Sequence, residues 1–410
     1  SYDFFPVWSA RGSRTRMPVA GKRASSKYDF VKVRVWLSDE GDEEEPKHHY
    51  VLSRFLVSRV LTMTHMKYRD AIRLALELKK QLVDEQRLDL QQHEVEAELF
   101  GLMAANGYGS NYIRRFRMMS AFHRERVPLI VLISGTGCIG KSTLATQLAE
   151  RLNMPSVLQT DLVRLLAAAA DGKSPALRLW MRRSFVTPEE LVAEHCCEAS
   201  AVCDAILADL QKAVADGKPL IVEGSHVHLE LYEEALSSVA RGTAAVTVPF
   251  VLSLDTAEHS ELLEYWLASQ PLMATSARAE RDGNREVRGE GRTNRGGEDV
   301  SCIAREDEHC DDKGVGVCLA GGTGAMADPG ITADSGVGAE FNTAAEHARM
   351  LQHLVRLQTE LQASADRCTW LQPRHVAVQV HAIEHTLDTL HSAILEAIEK
   401  QFYYAESNST

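Results

Sequence analysis

Several absences bound this chain before any motif is read. Its eight cysteines contain no C-x-x-C pair, and only Cys196 and Cys197 are adjacent. That is neither a zinc spacing nor a disulfide framework, and it fits a reducing, cytoplasmic compartment. No apolar run approaches the roughly 18 residues needed to cross a bilayer, so no membrane partner is expected. Basic charge is also short: 45 Lys and Arg stand against 57 Asp and Glu, a formal charge of -12. Most of such a surface repels a phosphate backbone, which argues against nucleic acid as a partner and disfavours a nucleic-acid-modifying kinase.

What is present is ordinary globular material, 45% hydrophobic and 25% charged over 410 residues, enough for two or three domains. Residues 1–27 read as a flexible basic tail, with a transit peptide as the alternative. Residues 28–126 read as a small, mostly helical domain. It opens on a short strand, "FVKVRVWL", and an acidic turn, "SDEGDEEEP". A helix follows with Ala71, Ala75, Leu78 and Leu82 on one face, then a helix around Glu94–Met103 and a Gly-punctuated turn, "NGYGSNYIRRF", into a third. Lys79, Lys80, Arg114 and Arg115 read as a solvated face.

Residues 127–274 alternate apolar runs with helical patterns. The runs at Leu129–Ser134, Ser156–Thr160, Leu220–Glu223 and Val246–Leu254 predict a parallel sheet with helices on both faces. Residues 275–342 break the pattern. The span 276–340 holds 13 of the 26 glycines and no Phe, Trp or Tyr, too little apolar surface to offset its ordering entropy, and it reads as a disordered insertion. Its "GGTG" at Gly321–Gly324 follows no strand and precedes no helix, so it is not a second phosphate loop. Residues 343–403 resume the core, with a last strand within Cys368–Val380 and a helix over Ile383–Phe402, before a tail at 404–410.

The chemistry starts at "GTGCIGKST". Gly135, Gly140, Lys141 and Ser142 stand in the order G-x-x-x-x-G-K-[ST], after an apolar strand and before a helix carrying Leu144, Leu148 and Leu152 on one face. Such a loop closes backbone N–H groups around phosphate oxygens. Lys141 supplies a charge and Ser142 can ligate Mg²⁺, so ATP and Mg²⁺ are the expected cofactors. Cys138 reads as a small loop residue. The N/T-K-x-D of switch GTPases and the Asp-Glu strand end of mechanical ATPases are both missing. Instead a short strand ends in Thr160-Asp161, about twenty residues after the lysine. A carboxylate there can face an acceptor hydroxyl, or Asp161 can simply cap the next helix. Arg164, one turn on, faces the same cleft or solvent.

A second strand end reads "KPLIVEGSHVHLEL". Ligands bind at the carboxyl ends of parallel strands, so Glu223 can reach Mg²⁺ and His226 can donate to an anionic acceptor, with a buried structural histidine as the alternative. His228 reads as surface or the start of a helix. The His226/His228 pair lacks the further ligands nearby in sequence that a metal clip needs.

These stretches are similar to the 2-phosphoglycerate kinase family and its eukaryotic low-phytic-acid relatives. The resemblance spans roughly His48 to Pro271 and resumes at "ARMLQHLVRLQ". It implies that residues 28–126 are an ATP-cone-like domain. It also implies that Gly135, Thr136, Gly137, Cys138, Ile139, Gly140, Lys141, Ser142 and Thr143 form the phosphate loop. Asp161 and Arg164 match the Thr-Asp-x-x-Arg element of the family, and Glu223, Gly224 and His226 its Glu-Gly-x-His element. Arg349 matches the arginine of its late helix. Two departures stand out: "DTAEHSELLEYWLASQ" carries no lid arginine, and Leu354 replaces the family tyrosine.

The combined expectation is a P-loop kinase with an α/β core. Lys141, Asp161 and Glu223 are catalytic; Ser142 and Glu223 hold the metal. Asp161, Arg164, His226 and Arg349 bind a small anionic phosphorylated substrate, 2-phosphoglycerate or an inositol phosphate. The rival is a catalytically slow regulatory nucleotide-binding protein that recruits a partner.

Overall fold

The computed structural model describes residues 27–37, 49–170, 178–182, 185–239, 245–269 and 344–407. The basic tail up to Ser26, the acidic turn and the Gly-rich insertion lie outside the described residues.

Near its start the chain forms a three-stranded sheet, order β2-β1-β3, from β1 (Arg34–Trp36), β2 (His49–Val51) and β3 (Asp89–Gln91). Sequence analysis expected a strand only at the first. The other two are three residues long, too short to show an alternation. Around them stand α1 (Arg54–Met63), α2 (Tyr68–Asp84), α3 (Gln92–Ala105) and α4 (Ser110–Arg124). The predicted face of α2, Ala71, Ala75, Leu78 and Leu82, is buried together with Leu74, and the cluster it joins holds Val35, Leu90 and Leu99. Lys79 is not on a solvated face: it is buried, and its Nζ donates to the Leu52 carbonyl at 3.2 Å. Its stem follows the apolar side of α2 while its ammonium group reaches this polar partner. Lys80 and Arg114 are exposed as expected.

The second sheet is parallel, order β5-β6-β4-β7-β8, from β4 (Leu129–Ser134), β5 (Val157–Gln159), β6 (Leu220–Gly224), β7 (Val246–Ser253) and β8 (Arg374–Ala377). β4 to β7 fall on the four predicted apolar runs, and β8 lies within the Cys368–Val380 stretch expected to hold a last strand. Between and after them come α5 (Lys141–Arg151), α6 (Thr160–Ala170), α7 (Pro188–Ala215), α8 (Leu229–Val239), α9 (Thr256–Ser269), α10 (Ala344–Asp366) and α11 (Ile383–Ser407).

Alternation along β4 shows why the helices cover both faces. Leu129, Val131 and Ile133 pack with Leu144 and Leu148 of α5 and with Leu390 and Ile394 of α11. Ile130 and Leu132 point the other way, into Ile206 and Leu210 of α7 and Tyr232 of α8. A strand apolar on both sides has no solvent face, which is why its sequence is a continuous run. The two sheets' helices also meet: Met63, Met119 and Phe122 join the first of these clusters, and the His391 ring lies 3.0 Å from the Met63 carbonyl. No described helix is long and apolar enough to cross a membrane.

Candidate active site

The P-loop turns from β4 into α5. Gly135–Ile139 make the turn, Gly140 sits in the left-handed region at φ 81°, and Lys141, Ser142 and Thr143 open the helix. Nothing larger than glycine fits at Gly137, where a Cβ would lie 2.8 Å from Trp180 Nε1 and 3.3 Å from Leu354 Cδ2. Leu354, the departure noted in the sequence, is thus an apolar lid over the loop backbone. His259, buried on α9, donates its Nε2 proton to the Gly137 carbonyl at 2.9 Å. Lys141 is buried, and its Nζ donates to the Thr136 carbonyl. Burial pushes the Lys141 pKa down, with Glu223 and Asp161 opposing. Burial likewise pushes the Cys138 thiol up to about 12, which disfavours its thiolate.

Adjacent strands place the carboxylates. Register pairs Ile133 with Glu223 and Gln159 with Glu223, so the ends of β4, β5 and β6 converge. Ser142 Oγ donates to Glu223 Oε1 at 2.6 Å. Glu223 is buried, and burial raises its pKa against the opposing pull of Lys141. A hydroxyl and a carboxylate at this separation are the hard oxygen donors that Mg²⁺ prefers. Thr136 Oγ1 and Ser134 Oγ are buried with no hydrogen-bond partner among the described residues, as expected where a ligand oxygen belongs. The residues present fit a nucleotide phosphate with its cation.

Beside this lies a charged relay. Asp161, in the first turn of α6 rather than at its cap, accepts from Arg178 Nη1 at 3.0 Å and from Ser225 Oγ at 3.0 Å. His226 Nδ1 is 3.3 Å from Asp161 Oδ1, and its Nε2 is 3.4 Å from Glu198 Oε2. Glu198 in turn accepts from Arg182. The neighbouring His195 ring stacks on His226 with centroids 6.1 Å apart and donates to the Ser225 carbonyl at 2.8 Å. Burial pushes its pKa down to about 4, so it stays neutral.

Burial works against the charge on His226, but Asp161 and Glu198 outweigh it and hold its pKa above the ordinary value. Burial also opposes charge on both acids. Contact with His226 and Arg178 nevertheless takes Asp161 well below the carboxylate range, and His226 and Arg182 take Glu198 to about 2. The acids therefore contribute stability above their ordinary range, lost as pH falls through their depressed values. The contribution of His226 is complete below about 6.5 and lost as pH rises through its raised value. Glu198→Gln leaves His226 one carboxylate partner. Its imidazole then titrates at lower pH than in the parent, which an NMR titration of the histidine ring protons measures; an unchanged midpoint would remove Glu198 from the relay.

A cavity lined by Thr136, Gly137, Asp161, Arg164, Arg178 and His226, among others, joins the P-loop to this relay. Of the expected substrate residues, Asp161, Arg164 and His226 line it. Arg349 stands apart: its guanidinium pairs with Glu346 and donates to the Arg182 and Met181 carbonyls at 2.5 and 3.0 Å. It buttresses the Leu179–Met181 turn instead of facing the cavity. His228 starts a helix, as read, but is buried rather than on the surface.

Sequence reasoning missed Arg178, Arg182, Glu198 and Ser225. The signal for the arginines was "RLWMRR", an apolar triplet flanked by guanidinium groups between two helices. Glu198 had none, being one acid among many on a long amphipathic helix.

Comparison with known proteins agrees with the resemblance. The chain is 29% identical over 193 residues to a 2-phosphoglycerate kinase of Pyrococcus horikoshii, covering 45% of this chain and 64% of that protein. It is 26% identical over the same length to that of Pyrococcus furiosus, with the same coverage. Against that of Methanococcus maripaludis the identity is 23% over 212 residues, 48% of this chain and 66% of the relative. The chain thus spans less than two thirds of the length of the curated relatives it matches. No protein-family model matches it. A tRNA isopentenylpyrophosphate transferase structure from Bacillus halodurans aligns over 68% of this chain and 99% of its own. At 11% identity and a TM-score of 0.26 it carries no argument.

Proposed function

We propose that this chain is a small-molecule kinase, moving the γ-phosphoryl group of ATP to a hydroxyl of a small phosphorylated acid. 2-Phosphoglycerate is the leading acceptor and an inositol phosphate the second. One observation carries the reading: the P-loop and the Asp161–His226 pair open into a single cavity with Arg164 and Arg178 on its wall. A nucleotide switch has no use for an acceptor wall of that charge. The names of the relatives support the same reading.

In the reaction the acceptor oxygen forms a bond to the γ-phosphorus, the bond to the β-phosphate oxygen breaks, and ADP leaves. Asp161 is ionised and a weak base, so it aligns the hydroxyl and takes the proton late, as bond formation acidifies it. Lys141 leaves the Thr136 carbonyl for the phosphates. Ser142 and Glu223 would hold Mg²⁺, which neutralises charge on the phosphates when bound. Arg178, already at the cavity, takes the place of the missing lid arginine. His226, kept charged, and Arg164 bind the anionic part of the acceptor. The cavity has room for a single water, about 20 Å³, so it must widen to admit the substrates.

Incubation with γ-labelled ATP, Mg²⁺ and 2-phosphoglycerate, 3-phosphoglycerate, inositol phosphates or no acceptor tests this. Label is expected in one acceptor and absent with Lys141→Ala. ATP binding without acceptor-dependent transfer would overturn the kinase and favour a regulatory nucleotide-binding protein.

A further inference from the structure

Outside this site, three side chains of different chemistry meet. Cys196 of α7, His228 just before α8 and Glu360 of α10 present ligand atoms that all lie within 4.8 Å of one another. His228 Nε2 is 3.9 Å from Cys196 Sγ and 3.7 Å from Glu360 Oε1. Around a tetrahedral zinc ion, ordinary bond lengths put sulfur and nitrogen about 3.5 Å apart and nitrogen and oxygen about 3.3 Å. The two His228 spacings exceed these by less than half an ångström, and the Cys196 to Glu360 spacing stays within 4.8 Å, so rotamer adjustment of Cys196 and Glu360 closes the set.

The histidine is oriented for the task. Its side chain is buried, and Nδ1 lies 3.0 Å from Ser364 Oγ, which also accepts the Glu230 backbone N–H at 3.2 Å. With the Nδ1 proton given to Ser364, the Nε2 lone pair faces Cys196 and Glu360, the arrangement in which an outer hydrogen bond fixes a metal-ligating imidazole. Cys196 is only partly buried, which leaves a path from solvent. Glu360 Oε1 also accepts from Arg367 Nη2 at 2.8 Å, but Arg367 Nε has Glu230 Oε2 at 2.8 Å as a second partner and retains it.

The geometry points to a zinc-type divalent cation site formed by Cys196, His228 and Glu360, separate from the Mg²⁺-type oxygen site at Ser142. Thiolate and imidazole select a borderline-soft ion over Mg²⁺. Binding displaces the thiol proton of Cys196 to solvent and leaves the fourth position to water. The placement gives the ion a purpose. Cys196 lies two residues before Glu198, His228 two after His226, and Glu360 next to Leu361, which lines the cavity. One ion would tie the three elements that carry the acceptor side of the site.

The test uses the full chain, stripped by chelator and titrated with Co²⁺. A thiolate-to-cobalt charge-transfer band is expected at one equivalent, bleached by Zn²⁺ and absent in Cys196→Ser and His228→Gln. Ser364→Ala keeps the band at about 10- to 100-fold weaker affinity. Zn²⁺ raises the thermal midpoint of the parent and not of Cys196→Ser, a partly exposed change that leaves the fold intact. No band, or one that survives in Cys196→Ser and so belongs to the other cysteines, overturns the site.

Discussion

Asp161→Asn lowers acceptor-dependent phosphoryl transfer by about 10²- to 10⁴-fold, the range by which a positioned proton acceptor contributes, while ATP binding changes little. The side chain keeps its size, but Ser225 and Arg178 donate at 3.0 Å to different oxygens of Asp161, and the single amide oxygen keeps only one of these bonds. What it loses is the charge proposed to orient the acceptor hydroxyl and receive its proton. His226 loses one of its two counter-charges and its pKa falls. The P-loop contacts are untouched, since Lys141 rests on Thr136 and Ser142 on Glu223. Turnover measured at saturating ATP, together with nucleotide affinity by titration calorimetry, separates the two effects. A variant within tenfold of the parent would reduce Asp161 to a structural ligand of Arg178 and His226. Ser225→Ala, which removes one donor and no charge, is the control expected to cost far less.

The parallel sheet was legible because burial on both faces forces continuous apolar runs, and each of the four runs became a strand. The P-loop was legible because phosphate binding needs glycine, lysine and a hydroxyl at fixed spacing. Asp161 and His226 could be placed at strand ends, but their partnership could not. It depends on the register of β5 against β6, which sets Gln159 beside Glu223. Arg178 and Glu198 come from elements flanking the sheet, brought in by packing of Trp180 and α7 that no local pattern encodes. Lys79, and the surface half of the His228 reading, fail for the converse reason: composition puts such residues at the surface, and only the fold supplies the carbonyl or serine that goes with their burial. Cys196, His228 and Glu360 are scattered in sequence, so their meeting is visible only in three dimensions.

The same register makes Gly224 the most sensitive backbone position in the site. Gly224 ends β6 at φ 150°, and a Cβ there would lie 1.7 Å from Thr160 Oγ1 and 2.9 Å from Thr160 Cβ. Thr160 is fully buried and begins α6, so it has no room to turn away. Gly224→Ala therefore adds backbone strain to overpacking and destabilises the protein by about 3–5 kcal/mol, seen as a fall in the urea midpoint at unchanged slope. Relief can come only if the end of β6 parts from the start of α6. That movement separates Glu223 from Asp161, the metal side of the site from the acceptor side, so transfer falls further than stability alone explains. Gly101→Ala gives the opposite sign. Gly101 lies inside α3 with nothing within 4 Å of its Cβ position, and alanine there stabilises by about 0.5–1 kcal/mol. If the two substitutions had similar effects, the contact of Gly224 with Thr160 would not be what aligns the two halves of the site.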